Sequence, residues 1–441
     1  MQIIKSSFLF FFITLFSLNT SILFATEDDE SEQEIITPEI AIDLGTETED
    51  ADTGEIKEPE STIYQPQDNE PISTAYDQES IDQGPLTILN EVVSPGETRE
   101  LSWSAGQSFS GKAVKPPVLI VRGLKSGPVL CLVSAIHGDE LNGIEIVRRV
   151  VSNLDATEIA GTVIGVPIVN IFGFTDGSRY LPDRRDLNRF FPGKSNGSAA
   201  SRIAYRFFNQ IITHCDLVVD FHTGSFKRNN LPQLRADMNE PHVREFVRHF
   251  GSTSVLHKSG HKGNLRTAAT RAGIPAVTFE LGQPGSLQEE HVEFGVKTIE
   301  TLIGKLGILK RFHLWFEPQP VYYSSRWVRA NSGGILFSKA KIGSKIKKDD
   351  LLGYIINPIT NAKTEITSPV NGRILGMALN QFMLPGYAAF HIGIVSDSAS
   401  MVRNEGINNP DIFYDNSDDD LDEEENEYTE DSEQEEDEEM H

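Results

Sequence analysis

The feature that most restricts the fold of this chain is a regular alternation of apolar runs and amphipathic stretches between residues 128 and 281. The apolar runs are PVLCLVSAI (128–136), GTVIGVPIVN (161–170), DLVVDFH (216–222) and PAVTFEL (275–281). Runs of this kind are typical of strands that are buried on both faces. The stretches between them, such as ELNGIEIVRRVVSNL, repeat apolar residues every three or four positions, which indicates helices. The sequence therefore predicts an α/β domain with a mostly parallel or mixed sheet and helices on both faces.

Composition divides the chain into segments around this domain. Residues 1–25 contain one lysine, the apolar run FLFFFITLFSL and a final alanine, which is the layout of an export signal; an uncut signal would be a membrane anchor. An acidic linker follows at 26–85, and the predicted catalytic domain spans 86–312. A smaller β-rich region covers 318–397, and an acidic tail closes the sequence at 411–441. We expect an exported protein, periplasmic or secreted.

The formal charge of −26 is concentrated at the two ends. Residues 26–80 contain 19 acidic residues and one lysine, and residues 411–441 contain 18 acidic residues and no lysine or arginine. Once these segments and Lys5 are subtracted, residues 81–410 have 28 acidic and 37 basic side chains, a net charge of about +9. Segments so acidic and so poor in large apolar groups are expected to stay disordered. The alternative is that a tail folds back over the basic body.

The chain has two cysteines, Cys131 and Cys215, both in apolar surroundings. Export would permit a disulfide between them. Two buried cysteines nevertheless behave more often as small hydrophobic side chains with free thiols, and we expect that here.

Candidate metal ligands lie at the ends of three predicted strands. The motif HGDE places His137 and Glu140 three residues apart where the first strand gives way to a helix, and His222 ends the third strand. Because ligands bind at the carboxyl ends of strands in open α/β sheets, we expect these side chains to meet. Zinc accepts imidazole and carboxylate ligands, and its catalytic sites keep one position open. The sequence thus predicts one zinc ion per chain, with another divalent metal as the alternative.

Two carboxylates near these ligands have predicted roles of their own. Glu280, at the end of the fourth strand, would act as the general base that later returns its proton to the leaving nitrogen. Asp220 lies on the same face of its strand as His222 and could accept the second N–H of that imidazole. A plain strand-end hydrogen bond is the alternative for Asp220. We expect Asp139 to be solvated or to cap the following helix.

The loop RYLPDRRDLNRFFPG (179–193) is the candidate site for a substrate carboxylate. Arginine pairs with planar anions through two parallel hydrogen bonds, and asparagine adds a donor. Asn188 and Arg189 are the first candidates, followed by Arg185 and Arg179. The alternative is a loop held together by ion pairs of its own aspartates, Asp183 and Asp186.

Two further segments add to this prediction. FKRNNLPQLRADM (226–238) offers Arg235 and Asn230 near the His222 strand end, and we take Arg235 as a substrate-binding candidate. Residues 318–397 have glycines between short strands and resemble a biotinyl/lipoyl-type barrel-sandwich module. The position of the modified lysine in such carriers falls near Asn361. We therefore expect a structural or substrate-gating module and no carrier role.

The motifs together resemble the succinylglutamate desuccinylase/aspartoacylase family, a branch of the zinc carboxypeptidase-like fold. The resemblance covers about residues 115–397 and rests on HGDE (137–140), RDLNRFFPG (185–193), DFHTG (220–224) and FELGQPG (279–285). It implies zinc on His137, Glu140 and His222, and Glu280 as general base and acid. It also implies that Asn188 and Arg189 hold a substrate carboxylate.

The resulting hypothesis is a zinc-dependent amidohydrolase that cleaves the N-acyl amide bond of a small carboxylate-bearing substrate, an N-acyl amino acid. One alternative is an exported metallocarboxypeptidase that acts on short peptides or cell-wall peptides. A second is a non-catalytic, metal-bearing binding protein. We expect no nucleic-acid partner, and no membrane contact beyond an uncut signal.

Overall fold

The computed structural model describes residues 84–394 except 108–110, 226, 311–319 and 380. The predicted export signal, nearly all of the acidic linker and the acidic tail lie outside the described residues. Within the described part of the chain, no helix is long and apolar enough to cross a membrane.

The α-helices and β-strands have the following bounds. The helices are α1 (Asn142–Ser152), α2 (Ile171–Asp176), α3 (Ala199–Gln210), α4 (Pro241–Val247), α5 (Leu265–Arg271) and α6 (Glu289–Lys305). The strands before residue 320 are β1 (Leu86–Ile88), β2 (Glu91–Val93), β3 (Thr98–Ser102), β4 (Gly106–Gln107), β5 (Ala113–Val114), β6 (Pro117–Arg122), β7 (Lys125–Ser134), β8 (Ala160–Val166), β9 (Leu217–His222), β10 (Arg228–Ala236), β11 (Ser254–His257) and β12 (Ala276–Gly282). The later strands are β13 (Val321–Tyr322), β14 (Ser325–Arg329), β15 (Gly334–Ser338), β16 (Lys345–Ile346), β17 (Leu351–Ile356), β18 (Lys363–Thr367), β19 (Gly372–Ala378), β20 (Phe382–Met383) and β21 (Ala388–Ile394).

The centre of the main sheet is parallel, and its flanks are mixed. The four apolar runs of the sequence form β7, β8, β9 and β12, which lie side by side in the order β12-β9-β7-β8 and run in one direction. Antiparallel β6 and β3 extend one flank, and antiparallel β10 extends the other. The predicted mixed α/β fold is confirmed.

Helices cover both faces of this sheet because successive strand residues point to opposite sides. In β7, Cys131 and Val133 pack into a core that includes Phe207 of α3. The residues between them, Leu130 and Leu132, pack into a second core beneath α1 and α6. Each face therefore has its own apolar layer, which explains why the central strands have almost no polar positions.

Cys131 and Cys215 form a disulfide, with their Cα atoms 5.8 Å apart. The expectation of free thiols is wrong. The two cysteines come together because β7 and β9 are hydrogen-bonded neighbours, with Cys131 opposite Val218, which places Cys215 within bridging distance. The apolar pattern of the sequence gives no strand order, so it could not indicate this proximity.

The small β domain at residues 321–394 contains two sheets that enclose an apolar core. One sheet has the strand order β18-β17-β15-β20. In the other, β14, β21 and β19 lie side by side, and β19 pairs with the first residues of β10. The β domain is thus continuous with the main sheet through β10, which brings it to the edge where the candidate site lies.

Candidate active site

The HGDE motif forms a tight turn at the carboxyl end of β7. The amide of Glu140 donates to the carbonyl of His137 over 3.2 Å, so both side chains lie on one side of the turn. Gly138 packs directly against the backbone of α2: a Cβ at this position would lie 2.0 Å from the carbonyl carbon of Gly173. Only glycine fits such a close approach, which explains why position 138 of the HGDE motif is a glycine.

His137, Glu140 and His222 are buried, and one ligand atom of each lies within 4.8 Å of the others. His137 Nδ1 is 2.8 Å from one carboxylate oxygen of Glu140 and 3.1 Å from His222 Nδ1. His222 Nδ1 is 3.0 Å from the other oxygen of Glu140. A tetrahedral zinc ion with ligands at roughly 2.0–2.1 Å separates its ligand atoms by about 3.3 Å. The three side chains can therefore hold one metal ion with little movement.

The second nitrogen of each imidazole points away from this triangle towards a carboxylate. His137 Nε2 is 3.1 Å from Asp186 Oδ1, and His222 Nε2 is 2.9 Å from Asp220 Oδ2. A proton held on Nε2 by a carboxylate leaves the Nδ1 lone pair directed at the cluster, which is the tautomer that metal binding requires. The sequence predicts such a contact between Asp220 and His222. For Asp186 it predicts only an ion pair within the loop.

Arg179 completes a buried group in which opposite charges balance. Its guanidinium lies 3.2 Å from Glu140 and donates to Asp186 over 3.0 Å. The group contains three carboxylates, of Glu140, Asp186 and Asp220, and three cations when Arg179 and both imidazoles are charged. A divalent ion that replaced the two imidazole protons would preserve this balance, so the donor set suits such an ion.

The electrostatics of the metal-free cluster raise the pKa of both imidazoles. Burial and Arg179 lower the pKa of His137, but Glu140 and Asp186 outweigh them, and the pKa is raised above its usual value. Burial also lowers the pKa of His222, yet Asp220 and Glu140 raise it well above that value. Burial raises the pKa of Glu140, and the two imidazoles more than reverse this, so the carboxylate stays ionised. A metal ion and protons therefore compete for the imidazole nitrogens.

Glu280 lies on β12 directly opposite His222 on β9, so the two side chains share one end of the parallel pair. The carboxylate is buried and is held from β10: Asn230 Nδ2 donates to one oxygen over 3.0 Å. Arg235 Nε lies 3.4 Å from the other oxygen. Arg235 thus sits beside Glu280 as well as lining the cleft, and Asn230 fixes the orientation of the carboxylate.

The DLNR loop contributes Asn188 and Arg189 to the same cleft. Asp186 caps a single 3-10 turn here by accepting from the Asn188 amide over 2.8 Å, and Asn188 Oδ1 accepts from the Leu265 amide over 2.9 Å. The side chain of Arg185 is exposed, its guanidinium lies 5.8 Å from the ring of Phe190, and it is not among the residues that line the cleft.

The cleft is open to solvent and is rich in cations. Its charged lining side chains are five arginines and two carboxylates: Arg179, Arg189, Arg228, Arg235, Arg266, Glu140 and Glu280. Arg266 is buried and donates to the Lys258 carbonyl over 2.8 Å. Glu140 belongs to the cluster with the two imidazoles, and Glu280 is held by Asn230 and Arg235. The remaining charged side chains of the lining are arginines, which suit anions.

The β domain also reaches the cleft, through Trp327 of β14. The Trp327 ring stacks on His391, with centroids 4.3 Å apart, and the guanidinium of Arg228 lies 5.2 Å from its centre. His391 Nε2 is in turn 2.8 Å from the hydroxyl of Ser325. These contacts hold the indole of Trp327 against one wall of the cleft.

Sequence reasoning missed Asp186, Arg228, Arg266 and Trp327 as parts of this site. A usable signal existed only for Asp186, which stands at the cap position two residues before Asn188. Asp139 also differs from expectation: it is half-buried, and α1 begins without a side-chain cap, so it is neither fully solvated nor capping.

Comparison with known sequences finds one family and one curated relative. Residues 126–305 match the family model described as the succinylglutamate desuccinylase/aspartoacylase catalytic domain. The N-alpha-acetyl-L-2,4-diaminobutyric acid deacetylase of Halomonas elongata is 35% identical over 134 residues. That match covers 30% of this chain and 39% of the relative, so the chain spans well under half of the relative's length.

Solved structures of similar fold cover more of the chain. The product-bound ectoine utilization protein of Ruegeria pomeroyi has a TM-score of 0.61 at 23% identity and covers 68% of this chain and 95% of its own. A succinylglutamate desuccinylase/aspartoacylase of Rhodobacter sphaeroides also has a TM-score of 0.61, at 22% identity, and covers 71% of this chain and 100% of its own. At these identities the similarity concerns the fold.

Proposed function

We propose that this protein is a zinc-dependent amidohydrolase that removes the acyl group from an N-acyl amino acid, because residues 126–305 match the model of the succinylglutamate desuccinylase/aspartoacylase catalytic domain. The observation that carries the proposal is the convergence of His137, Glu140 and His222 beside Glu280. Three neutral or anionic ligands and a separate carboxylate are what metal-assisted hydrolysis requires.

The ligand set supports zinc over harder cations, since calcium and magnesium prefer oxygen ligands alone. A bound zinc ion supplies Lewis-acid chemistry, which lowers the pKa of a water molecule and polarises a carbonyl group. The chain orients its two imidazoles for this ion through Asp186 and Asp220. We propose one ion per chain.

Glu280 is the proposed general base and acid. It takes a proton from the attacking water and returns it to the nitrogen of the departing amino acid, so the residue ends the reaction in its starting state. Asn230 holds one oxygen of its carboxylate through a hydrogen bond, and Arg235 lies beside the other. These contacts restrict rotation of the carboxylate, which keeps it directed at the reacting atoms.

Asn188 and Arg189 are the proposed partners of the substrate carboxylate. Both line the cleft, and the loop that carries them is tied to the metal-ligand cluster because Asp186 binds both the Asn188 amide and His137. A carboxylate bound here would therefore be placed at a fixed distance from the metal ligands, which is how positioning contributes to rate.

The charge of the cleft supports a substrate with two anionic groups. Arg228 and Arg266 line the cleft in addition to Arg189, and among the described residues the carboxylates that line it are those of Glu140 and Glu280. A side-chain amine, such as the one in the substrate named for the Halomonas relative, would meet like charge here. We therefore propose N-acyl derivatives of acidic amino acids as the substrate class.

The position of Trp327 favours a deacylase over a carboxypeptidase. Arg228 precedes Asn230 by two residues on β10, and Trp327 lies over Arg228. An indole at this wall narrows the cleft beside the residues that hold Glu280, whereas a peptide would need an open groove. The proposed role of the β domain is therefore to limit substrate size.

We also propose that the protein is exported. The N-terminal layout of one lysine, an apolar run and an alanine supports this, and so does the Cys131–Cys215 disulfide, because such bonds persist mainly in oxidising compartments.

Turnover of a panel of N-acyl amino acids and short peptides, measured for wild type and Glu280→Gln, tests the proposed function. Glu280→Gln should keep its zinc and lose roughly 10²- to 10⁴-fold in kcat. Glu293→Gln, an exposed change of the same kind on α6, is the control and should match wild type. Zinc bound without turnover of any substrate by wild type would support a binding protein, and preference for peptides would support a carboxypeptidase.

A further inference from the structure

The second sheet of the β domain has an apolar outward face. In β15, β17 and β20, Ile335 pairs with Ile356 and with Phe382, and Phe337 pairs with Tyr354. Residues that are directly paired, or two apart on one strand, point to the same side of a sheet. These five side chains, which we call the outer apolar face, therefore lie together.

The opposite side of this sheet is already packed. Leu336, Ile355 and Met383, which alternate with residues of the outer apolar face, belong to the buried core of the domain. On the outer face, Phe382 is 71% exposed and Phe337 is 38% exposed. Exposed apolar side chains that lie together on one face of a sheet are typical of a surface that binds a partner.

The rim of the face carries two lysines and one carboxylate, that of Glu365, which is paired with Tyr354 in the sheet and lies 3.1 Å from the ammonium of Lys363. The ammonium groups of Lys339 and Lys363 lie 5.6 and 4.6 Å from the centre of the Tyr354 ring. Residues 321–394 as a whole contain nine lysines and arginines against three acidic residues. The surface therefore combines aromatic rings with cations, and it favours an acidic segment that also carries aromatic side chains.

We propose that the chain's own acidic tail, residues 411–441, binds the outer apolar face. The tail contains 18 acidic residues and no lysine or arginine, and its aromatic pair Phe413 and Tyr414 is flanked by Asp411 and Asp415. The negative charge of the tail thus complements the lysines beside the outer apolar face, and its aromatic side chains suit the aromatic rings there.

Chain connectivity favours the tail over other acidic partners. The last described strand, β21, belongs to the β domain itself and ends at Ile394. Residues 395–410 can span at most about 55 Å when extended, which exceeds the roughly 25–30 Å width of a domain of this size. Attachment to the same domain raises the effective concentration of the tail at the face. The equally acidic linker at 26–80 joins the chain at the catalytic region instead.

Photo-crosslinking of the full chain tests this assignment. With p-benzoylphenylalanine in place of Phe337, at low salt, we expect crosslinks to peptides from residues 411–441, and none from a control in which Phe294 of α6, 40% exposed, is replaced. Crosslinks to the N-terminal linker, crosslinks to a second copy detected by isotope mixing, or no crosslinks would each overturn the proposal.

Hydrogen exchange of the tail amides provides a second test that does not depend on a reactive side chain. The wild-type tail should exchange about tenfold more slowly than the tail of a Lys339→Glu/Lys363→Glu variant, whose changes lie at exposed positions and leave the core intact. The protection should also fall at about 1 M salt, where charges are screened within about 3 Å. Equal exchange in wild type and variant would contradict tail binding. Because no residue of the outer apolar face lines the cleft, removal of residues 411–441 should leave turnover within a few-fold.

Discussion

Asp186 binds His137 and Arg179 at once: one carboxylate oxygen is 3.1 Å from His137 Nε2, and the other accepts from the Arg179 guanidinium over 3.0 Å. The same side chain caps the turn that carries Asn188. A single aspartate therefore links the proposed metal site to the proposed carboxylate site.

Asp186→Asn should weaken metal binding without unfolding the protein. The amide cannot hold the Nε2 proton of His137 as a carboxylate does, and loss of such a partner lowers metal affinity by roughly 10- to 100-fold. Competition with a zinc chelator measures the change. Asp183→Asn, an exposed change in the same loop, should leave the affinity unchanged, and equal affinities in both variants would contradict the assigned role.

Trp327→Ala should widen the range of accepted substrates. Removing the indole enlarges the cleft next to Arg228, so longer acyl groups or peptides should gain in kcat/KM relative to the best short substrate. Zinc content should not change, because Trp327 contacts no metal ligand in the described structure. Trp327→Phe should restore most of the wild-type selectivity. An unchanged substrate profile in the alanine variant would show that the β domain does not limit substrate size.

Removal of the disulfide should lower stability substantially. The bridge closes a loop with a sequence separation of 84 residues, for which chain entropy predicts about 4–5 kcal/mol as an upper value. Cys131→Ala/Cys215→Ala should therefore unfold at lower denaturant concentration than wild type. Reduction of wild type should produce a similar shift, and a shift below about 1 kcal/mol would contradict a structural role for the bond.

The stability of the metal-free protein should fall as the pH rises above about 6.5, and bound zinc should abolish this fall. The pKa values of His137 and His222 are raised in the folded state. Such groups contribute stability that is complete below their unfolded pKa of about 6.5 and is lost as the pH rises through the folded values. Chelator-treated protein should thus lose stability above about pH 6.5, whereas zinc-loaded protein, with unprotonated ligands throughout, should not. Thermal unfolding of both forms across this range provides the test, and parallel curves would contradict it.

The central strands, and the meeting of His137, Glu140 and His222 at one end of them, could be predicted from the sequence because each depends on local pattern. Buried parallel strands appear as unbroken apolar runs, and His137, His222 and Glu280 stand at or beside their carboxyl ends. Pairing between strands depends on contacts distant in sequence, which explains why the disulfide was missed. Cys131 is bridged to Cys215 only because β7 adjoins β9.

The strand β10 is a second element that could not be predicted from the sequence. FKRNNLPQLRADM contains charged residues and Pro232, so it lacks the apolar pattern of a strand. The pairing of β10 with β12 is irregular between Asn230 and Gln233, on either side of this proline. Nothing local in the sequence indicates that its first residues pair with β19, and this pairing is what joins the β domain to the catalytic sheet beside Arg228 and Trp327.

Titration of zinc into chelator-treated protein, with hydrolysis of an N-acyl acidic amino acid as the readout, tests the central claim most directly. Turnover of wild type should rise with added zinc and level off at one ion per chain. His222→Ala should bind far less zinc and stay inactive, while His242→Ala, an exposed histidine variant, should follow wild type. Turnover that survives complete metal removal, or full zinc binding by His222→Ala, would contradict the account.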